Sequence, residues 1–133
     1  MKKRILYLLI LTIILGGCSQ TIAFKKSRVV PAAELDLKIN LDKNGNYNIE
    51  LNVENLALPQ DLTPAKNTYI VWVVTGQGNF SVGQLLIDKN LNVALSAITP
   101  YKPSSIIITS EDDQEATYPC LQVVLTSEEI LLD

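Results

Sequence analysis

The stretch Leu35-Asp36-Leu37-Lys38-Ile39-Asn40-Leu41-Asp42-Lys43-Asn44-Gly45-Asn46-Tyr47-Asn48-Ile49-Glu50-Leu51-Asn52-Val53-Glu54 decides the fold. Leu35, Leu37, Ile39 and Leu41 alternate with polar residues, and Tyr47, Ile49, Leu51 and Val53 do the same after the break. Successive side chains of a strand point to opposite faces, so each run makes a half-buried strand with one wet side. Between them Asn44-Gly45 supplies the positive backbone angles of a tight turn, and the two runs are expected to pair as a hairpin.

The strand pattern continues outward. Residues Asn55 to Asn67, with Pro59 and Pro64, break it and suit a long connection that crosses between two sheets. Tyr69 to Val74 is apolar at every position and β-branched at four, which marks a central strand with the core on one side and a covered surface on the other. Gly76 to Asn79 turns the chain, and Phe80 to Ile87 and Leu91 to Ile98 form strands around Asp88-Lys89-Asn90. Ile106 to Ile108 and Leu121 to Thr126 supply two more, while Pro100 and Pro103 fall between strands, where a missing N–H costs nothing. Ser127 to Asp133 is read as a terminal turn or a last edge strand. Seven short strands in about 100 residues predict an all-β domain over 34–133, an immunoglobulin-like antiparallel two-sheet sandwich, with a small barrel as the alternative.

The segment before the domain reads as an address. Lys2, Lys3 and Arg4 precede the apolar run Ile5 to Leu15, which is shorter than the roughly 20 residues needed to span a bilayer. It ends in Leu15-Gly16-Gly17-Cys18, which resembles the lipobox of bacterial lipoproteins. The resemblance implies cleavage between Gly17 and Cys18, a diacylglycerol thioether on Cys18, acylation of the new amino group, and removal of residues 1–17. Two or three acyl chains, at roughly 0.8 kcal/mol per buried CH₂, hold a protein stably on a membrane. The expected location is the cell envelope, lipid-anchored to the outer face of the cytoplasmic membrane or to the outer membrane. Residues 18–33 are then the lipidated cysteine and a flexible tether, whose Lys25, Lys26 and Arg28 either rest on anionic headgroups or are simply solvated.

Composition narrows the function. The 133 residues contain 11 Lys and Arg, 14 Asp and Glu, two Cys and no His. Without His there is no Ser/His or Cys/His pair and no His-ligated zinc or iron. From Pro31 onward five basic residues face fourteen acidic ones, which argues against nucleic acid as a partner. With Cys18 acylated, Cys120 has no intramolecular partner and is expected to be a buried, inert thiol.

The stretch from Asn46 to Thr126 resembles the extracytoplasmic C-terminal domain of anti-sigma-K-factor-type membrane proteins. The resemblance lies in Leu56-Ala57-Leu58-Pro59 leading to Thr68-Tyr69-Ile70-Val71-Trp72-Val73, in Gly78-Asn79-Phe80-Ser81-Val82-Gly83, and in the acidic hairpin Asp88-Lys89-Asn90. It implies an extracytoplasmic β-sandwich. The chain lacks the family's zinc-binding helical domain and membrane helix, so sigma-factor inhibition does not carry over. The family's glycine- and proline-rich late turn is replaced by Glu111 to Pro119.

Candidate sites are few. Glu111, Asp112, Asp113 and Glu115 form the densest acidic cluster, and a flexible loop of carboxylates suits a hard cation such as calcium; a solvated loop accounts for the same residues. Asp42, Asn44, Asn46, Asn48 and Glu50 also alternate oxygen groups, but Gly45 and Glu50 are misplaced for a calcium-binding helix-loop-helix, and a polar hairpin face is the better account. Gly76-Gln77-Gly78 lacks a third glycine and a following helix, and Asn79 stands where a nucleophile elbow around Ser81 needs glycine. Trp72 and Tyr69 are expected in the core. No catalytic residue or cofactor is assigned. The expected function is a non-catalytic binding module on a membrane-anchored lipoprotein, with an envelope protein or polymer as partner. The alternatives are a small-ligand or calcium-binding lipoprotein using the 111–115 loop, and a hydrolase working with carboxylates alone.

Overall fold

The structure is a computed structural model and describes residues 19–132. The lipobox, Gly17 and Cys18 lie outside the described residues, as does Asp133. Eight strands are described: β1 (Ser19–Ile22), β2 (Glu34–Leu41), β3 (Tyr47–Glu54), β4 (Thr68–Thr75), β5 (Gly78–Leu85), β6 (Val93–Thr99), β7 (Ser105–Glu111) and β8 (Val123–Thr126). They form two antiparallel four-stranded sheets, ordered β1-β2-β3-β6 and β5-β4-β7-β8. Setting β1 aside, β2-β3-β6 corresponds to strands A-B-E and β5-β4-β7-β8 to C′-C-F-G of the immunoglobulin-like sandwich. The expected fold class therefore holds.

The founding hairpin pairs from Glu34 opposite Glu54 to Leu41 opposite Tyr47. Leu37, Ile39, Ile49, Leu51 and Val53 point into the core, where they meet Tyr69, Val71 and Val73 of β4 and Ile106 and Ile108 of β7. The connection from β3 to β4 carries a single 3-10 turn at Pro59–Asp61 and crosses between the sheets as expected. On the other side of the molecule, edge strands β5 and β6 of opposite sheets press together. A Cβ on Gly83 would stand 2.8 Å from Leu95 Cδ1, so the missing side chain sets how closely the two sheets close there.

The turn at 42–46 departs from expectation. Asp42 N–H donates to Asn46 O at 2.8 Å, Gly45 N–H donates to Asp42 O at 3.3 Å, and only Gly45 has a positive φ, +79°. This is the three-residue hairpin loop that ends in a left-handed residue, rather than a two-residue turn with both central angles positive. Asp42 Oδ1 also accepts the N–H groups of Asn44 and Asn46. Residues Asp88-Lys89-Asn90-Leu91-Asn92 repeat Asp-Lys-Asn-x-Asn and build the same turn, with Leu91 at φ +62° in the glycine's place. An L-residue costs roughly 1–2 kcal/mol there. Leu91 is fixed by its carbonyl, which accepts Leu56 N–H at 2.9 Å.

The stretch expected to be a flexible tether is instead built into the sandwich. Residues 19–22 pair with β2, Ser19 opposite Asn40 and Ile22 opposite Leu37. The chain then changes sheets. Lys25 N–H donates to Thr126 O at 2.9 Å, Glu128 N–H donates to Ala23 O at 2.8 Å, and Phe24 bridges Ser127. Ser27 Oγ donates to Val124 O at 2.6 Å while accepting the N–H groups of Val29 and Val30. Buried Ile22 and Val30 complete a strap across the side where β2 and β8 would otherwise be open edges. The reason is long-range pairing: the strap's partners are residues 37–40 and 124–128, which local composition does not reveal. The C-terminal segment is neither a turn nor a strand; Ile130 is buried and its N–H donates to Ser104 O at 2.8 Å.

Tyr69 provides a test of the core. It is fully buried and its hydroxyl donates to Ala57 O at 2.7 Å. Burial, aided by the charge of Asp61, pushes the phenol up from 10 to about 12. The folded state thus holds its proton more tightly than the unfolded chain, so this stability is complete below pH 10 and is lost as pH rises toward 12. Urea unfolding across that range should show a decline that is shallower in Tyr69→Phe. The variant should also lose about 1 kcal/mol at neutral pH through the orphaned Ala57 carbonyl.

Candidate functional site

Three connections meet at one end of the sandwich: 55–67, 86–92 and 112–122. They correspond to the B–C, C′–E and F–G loops, the end at which immunoglobulin variable domains carry binding loops. Here they are tied to one another. Lys66 Nζ donates to Asp112 Oδ2 at 2.9 Å, Asn67 Nδ2 donates to Asp112 O at 2.9 Å, and Asn67 N–H donates to Glu111 O at 3.0 Å. The hydrogen bond to Asp112 holds the Lys66 ammonium above the usual lysine range, against a smaller opposing effect of burial.

Beneath these loops lies a polar chain on the outer face of the β5-β4-β7-β8 sheet. Trp72 is fully buried, yet it faces away from the inter-sheet core that Tyr69, Val71 and Val73 enter. Its burial agrees with the sequence reading, and the side it occupies is the covered outer side of the central strand. Its Nε1–H donates to Thr109 Oγ1 at 2.8 Å, and Thr109 Oγ1 donates to Glu111 Oε1 at 2.6 Å. The same carboxylate oxygen accepts Cys120 N–H at 2.8 Å, which draws the β7–β8 connection down over this face. Burial pushes the Cys120 thiol up, the negative charge of Glu111 adds to the shift, and Cys120 Sγ–H donates to Ser110 O at 3.1 Å. A thiol held protonated in this way is a poor nucleophile.

The four residues expected to gather a cation are therefore separated by their roles. Glu111 is buried in the Trp72 chain, Asp112 pairs with Lys66, Asp113 Oδ1 accepts Glu115 N–H at 2.9 Å, and the Glu115 side chain is exposed. Among the described residues no group of three or more Cys, Asp or Glu side chains is placed to share a metal ion. Asp42 and Asn44 belong to their own turn, and Asn48 and Glu50 lie on the outward face of β3. Gly76 to Gly78 is closed by Thr75, whose Oγ1 accepts Gln77 N–H and donates to Gly78 O, so no cradle of free N–H groups is left for a phosphate. Ser81 is exposed on edge strand β5.

The loop end presents a different kind of surface. Tyr118 is 78% exposed and Leu121 completely so, both on the β7–β8 connection. Leu86 and Leu58 are exposed beside a cleft of ≈ 220 Å³ that Gln60, Asn67 and Gln84 also line. Around them stand Glu34, Glu54, Asp61, Asp88, Asp112, Asp113 and Glu115, with Lys66 and Lys89 among the basic residues. Leu121, expected to open the last strand, lies in the loop, because β8 begins two residues later. The available signal was Tyr118-Pro119, an aromatic next to a proline in an otherwise acidic connection.

The opposite end carries the turns at 42–46 and 75–78, the connection 100–104 and the C-terminal segment. Tyr101 stacks on Phe80 with ring centres 3.9 Å apart and planes 6° from parallel. A cleft of ≈ 500 Å³ lies between Gln77, Tyr101, Lys102 and Ile130. No family model, curated protein or solved structure matches the chain.

Proposed function

We propose that this chain is a lipid-anchored cell-envelope protein whose sandwich is a non-catalytic binding module, and that it engages a protein partner through the end formed by loops 55–67, 86–92 and 112–122. The observation that carries the reading is the exposure of Tyr118 and Leu121 on a connection held in place by Asp112 at one end and by Glu111 and Cys120 at the other. A large aromatic and a branched apolar side chain on an ordered loop lose little entropy when covered, which is the character of an interface hot spot. The acidic rim favours a partner with a basic surface. Cys18 and the lipobox support the anchor, and the lack of His removes the His-dependent catalytic pairs.

The test is crosslinked pull-down from solubilised envelopes, comparing wild type with Tyr118→Asp and Leu121→Asp. Loss of a hot spot worth at least about 2 kcal/mol corresponds to roughly 30-fold weaker capture. Both side chains are exposed, so the melting temperature should not move. Recovery of no partner above background, or equal recovery by all three proteins, would overturn the reading.

A further inference from the structure

We infer that the end of the sandwich bearing turns 42–46 and 75–78 and connection 100–104 rests on the bilayer surface, so that the three-loop end points away from the membrane. The inference rests on the lipoprotein reading of Cys18. Its starting point is that no tether exists. Strand pairing begins at Ser19, opposite Asn40, and consecutive Cα atoms are about 3.8 Å apart. An acylated Cys18 therefore brings the headgroup layer to within a few ångströms of β1.

The sheet registers say which end that is. Asn40 is one residue from the end of β2, Leu41 pairs with Tyr47, and Tyr47 pairs with Thr99. The five-residue connection from Thr99 carries this end over to the second sheet at Ser105, which pairs with Val74 just before turn 75–78. Ser19, Lys43, Tyr101, Lys102 and Gln77 thus belong to one end. Glu54, Asp61, Asp88 and Asp113 belong to the other.

The two ends differ in chemistry. The Ser19 end exposes Leu41, Ile98, Tyr101 and Leu131, with Lys43 and Lys102 beside them. Among the described residues its acids are Asp42, which accepts its own turn's N–H groups, and Glu128 and Glu129 on the C-terminal segment. Tyrosine and lysine next to exposed aliphatic side chains are the residues that settle at a headgroup boundary. The opposite end concentrates seven exposed or rim acids against a few basic residues, Lys66 and Lys89 among them, and an anionic surface repels it. Apolar side chains are exposed at both ends, Tyr118, Leu121 and Leu86 among them at the loop end; anchor position and the difference in charge select the orientation.

The experiment uses the full acylated chain reconstituted in phosphatidylethanolamine/phosphatidylglycerol vesicles that contain nitroxide-labelled lipid. An environment-sensitive fluorophore is placed through Lys43→Cys, Tyr101→Cys, Asp61→Cys or Asp113→Cys, each with Cys120→Ser. Intact mass first establishes acylation. The expected result is strong quenching and a blue shift at 43 and 101, with neither at 61 and 113. Both signals should be lost when about 12 Gly and Ser residues, spanning about 20 Å, are inserted after Ser19. An acylated chain quenched equally at both ends, or at neither, overturns the orientation and leaves the lipoprotein reading standing. An unacylated native chain overturns both.

Discussion

A chain that begins at Pro31 is expected to lose about 4 kcal/mol of stability relative to one that begins at Ser19. The figure comes from Ile22 and Val30, whose buried aliphatic side chains are each worth roughly 1.5–3 kcal/mol. The backbone bonds from Lys25 to Thr126 and from Glu128 to Ala23, and the Ser27 hydroxyl bond to Val124, are lost with them. Such a loss is a large part of the roughly 5–15 kcal/mol that holds a domain folded. It would also uncover β2 and the end of β8, so the truncated chain should associate as well as melt early. Urea midpoints and sedimentation of the two proteins check this. A tether in place of the strap would leave both unchanged.

The second large effect is expected at Trp72. Trp72→Ala should cost roughly 3–5 kcal/mol, the range for removing a fully buried indole. Trp72→Phe should cost about 1–2 kcal/mol, because most of the apolar area is kept and only the hydrogen bond to Thr109 is lost. The Phe variant should also loosen loop 112–122. Thr109 would keep its bond to Glu111, but the chain from Trp72 through Glu111 to Cys120 loses its fixed end. Hydrogen exchange at residues 118–122 would report this as faster exchange without global unfolding. If exchange there tracks global stability alone, the network does not position the loop.

Much of the fold was legible because its signals are local. The alternation from Leu35 to Val53 gave β2 and β3 with their faces, and the doubly apolar Tyr69 to Val74 run gave a central strand buried on both sides. Trp72 is buried as expected, but a strand buried on both faces does not disclose which face meets the other sheet, and Trp72 lies on the one that does not. β1 was missed because Ser19-Gln20-Thr21-Ile22 has one apolar residue and takes its strand form from β2. The acidic cluster misled for a related reason. Four carboxylates close in sequence are sent by the β7 strand end to four different surroundings, and only Glu111 is buried.

The direction in which β1 enters the sheet also fixes how the domain answers to force. Ser19 lies at one end of the sandwich, and β1 runs from there alongside β2 toward the other. A pull between the chain ahead of Ser19 and a partner held at loop 112–122 would act along β1. Its hydrogen bonds to β2 would then be loaded together in shear, rather than opened one after another. The short first strand is thus placed to act as a grip between the chain ahead of Ser19 and loop 112–122.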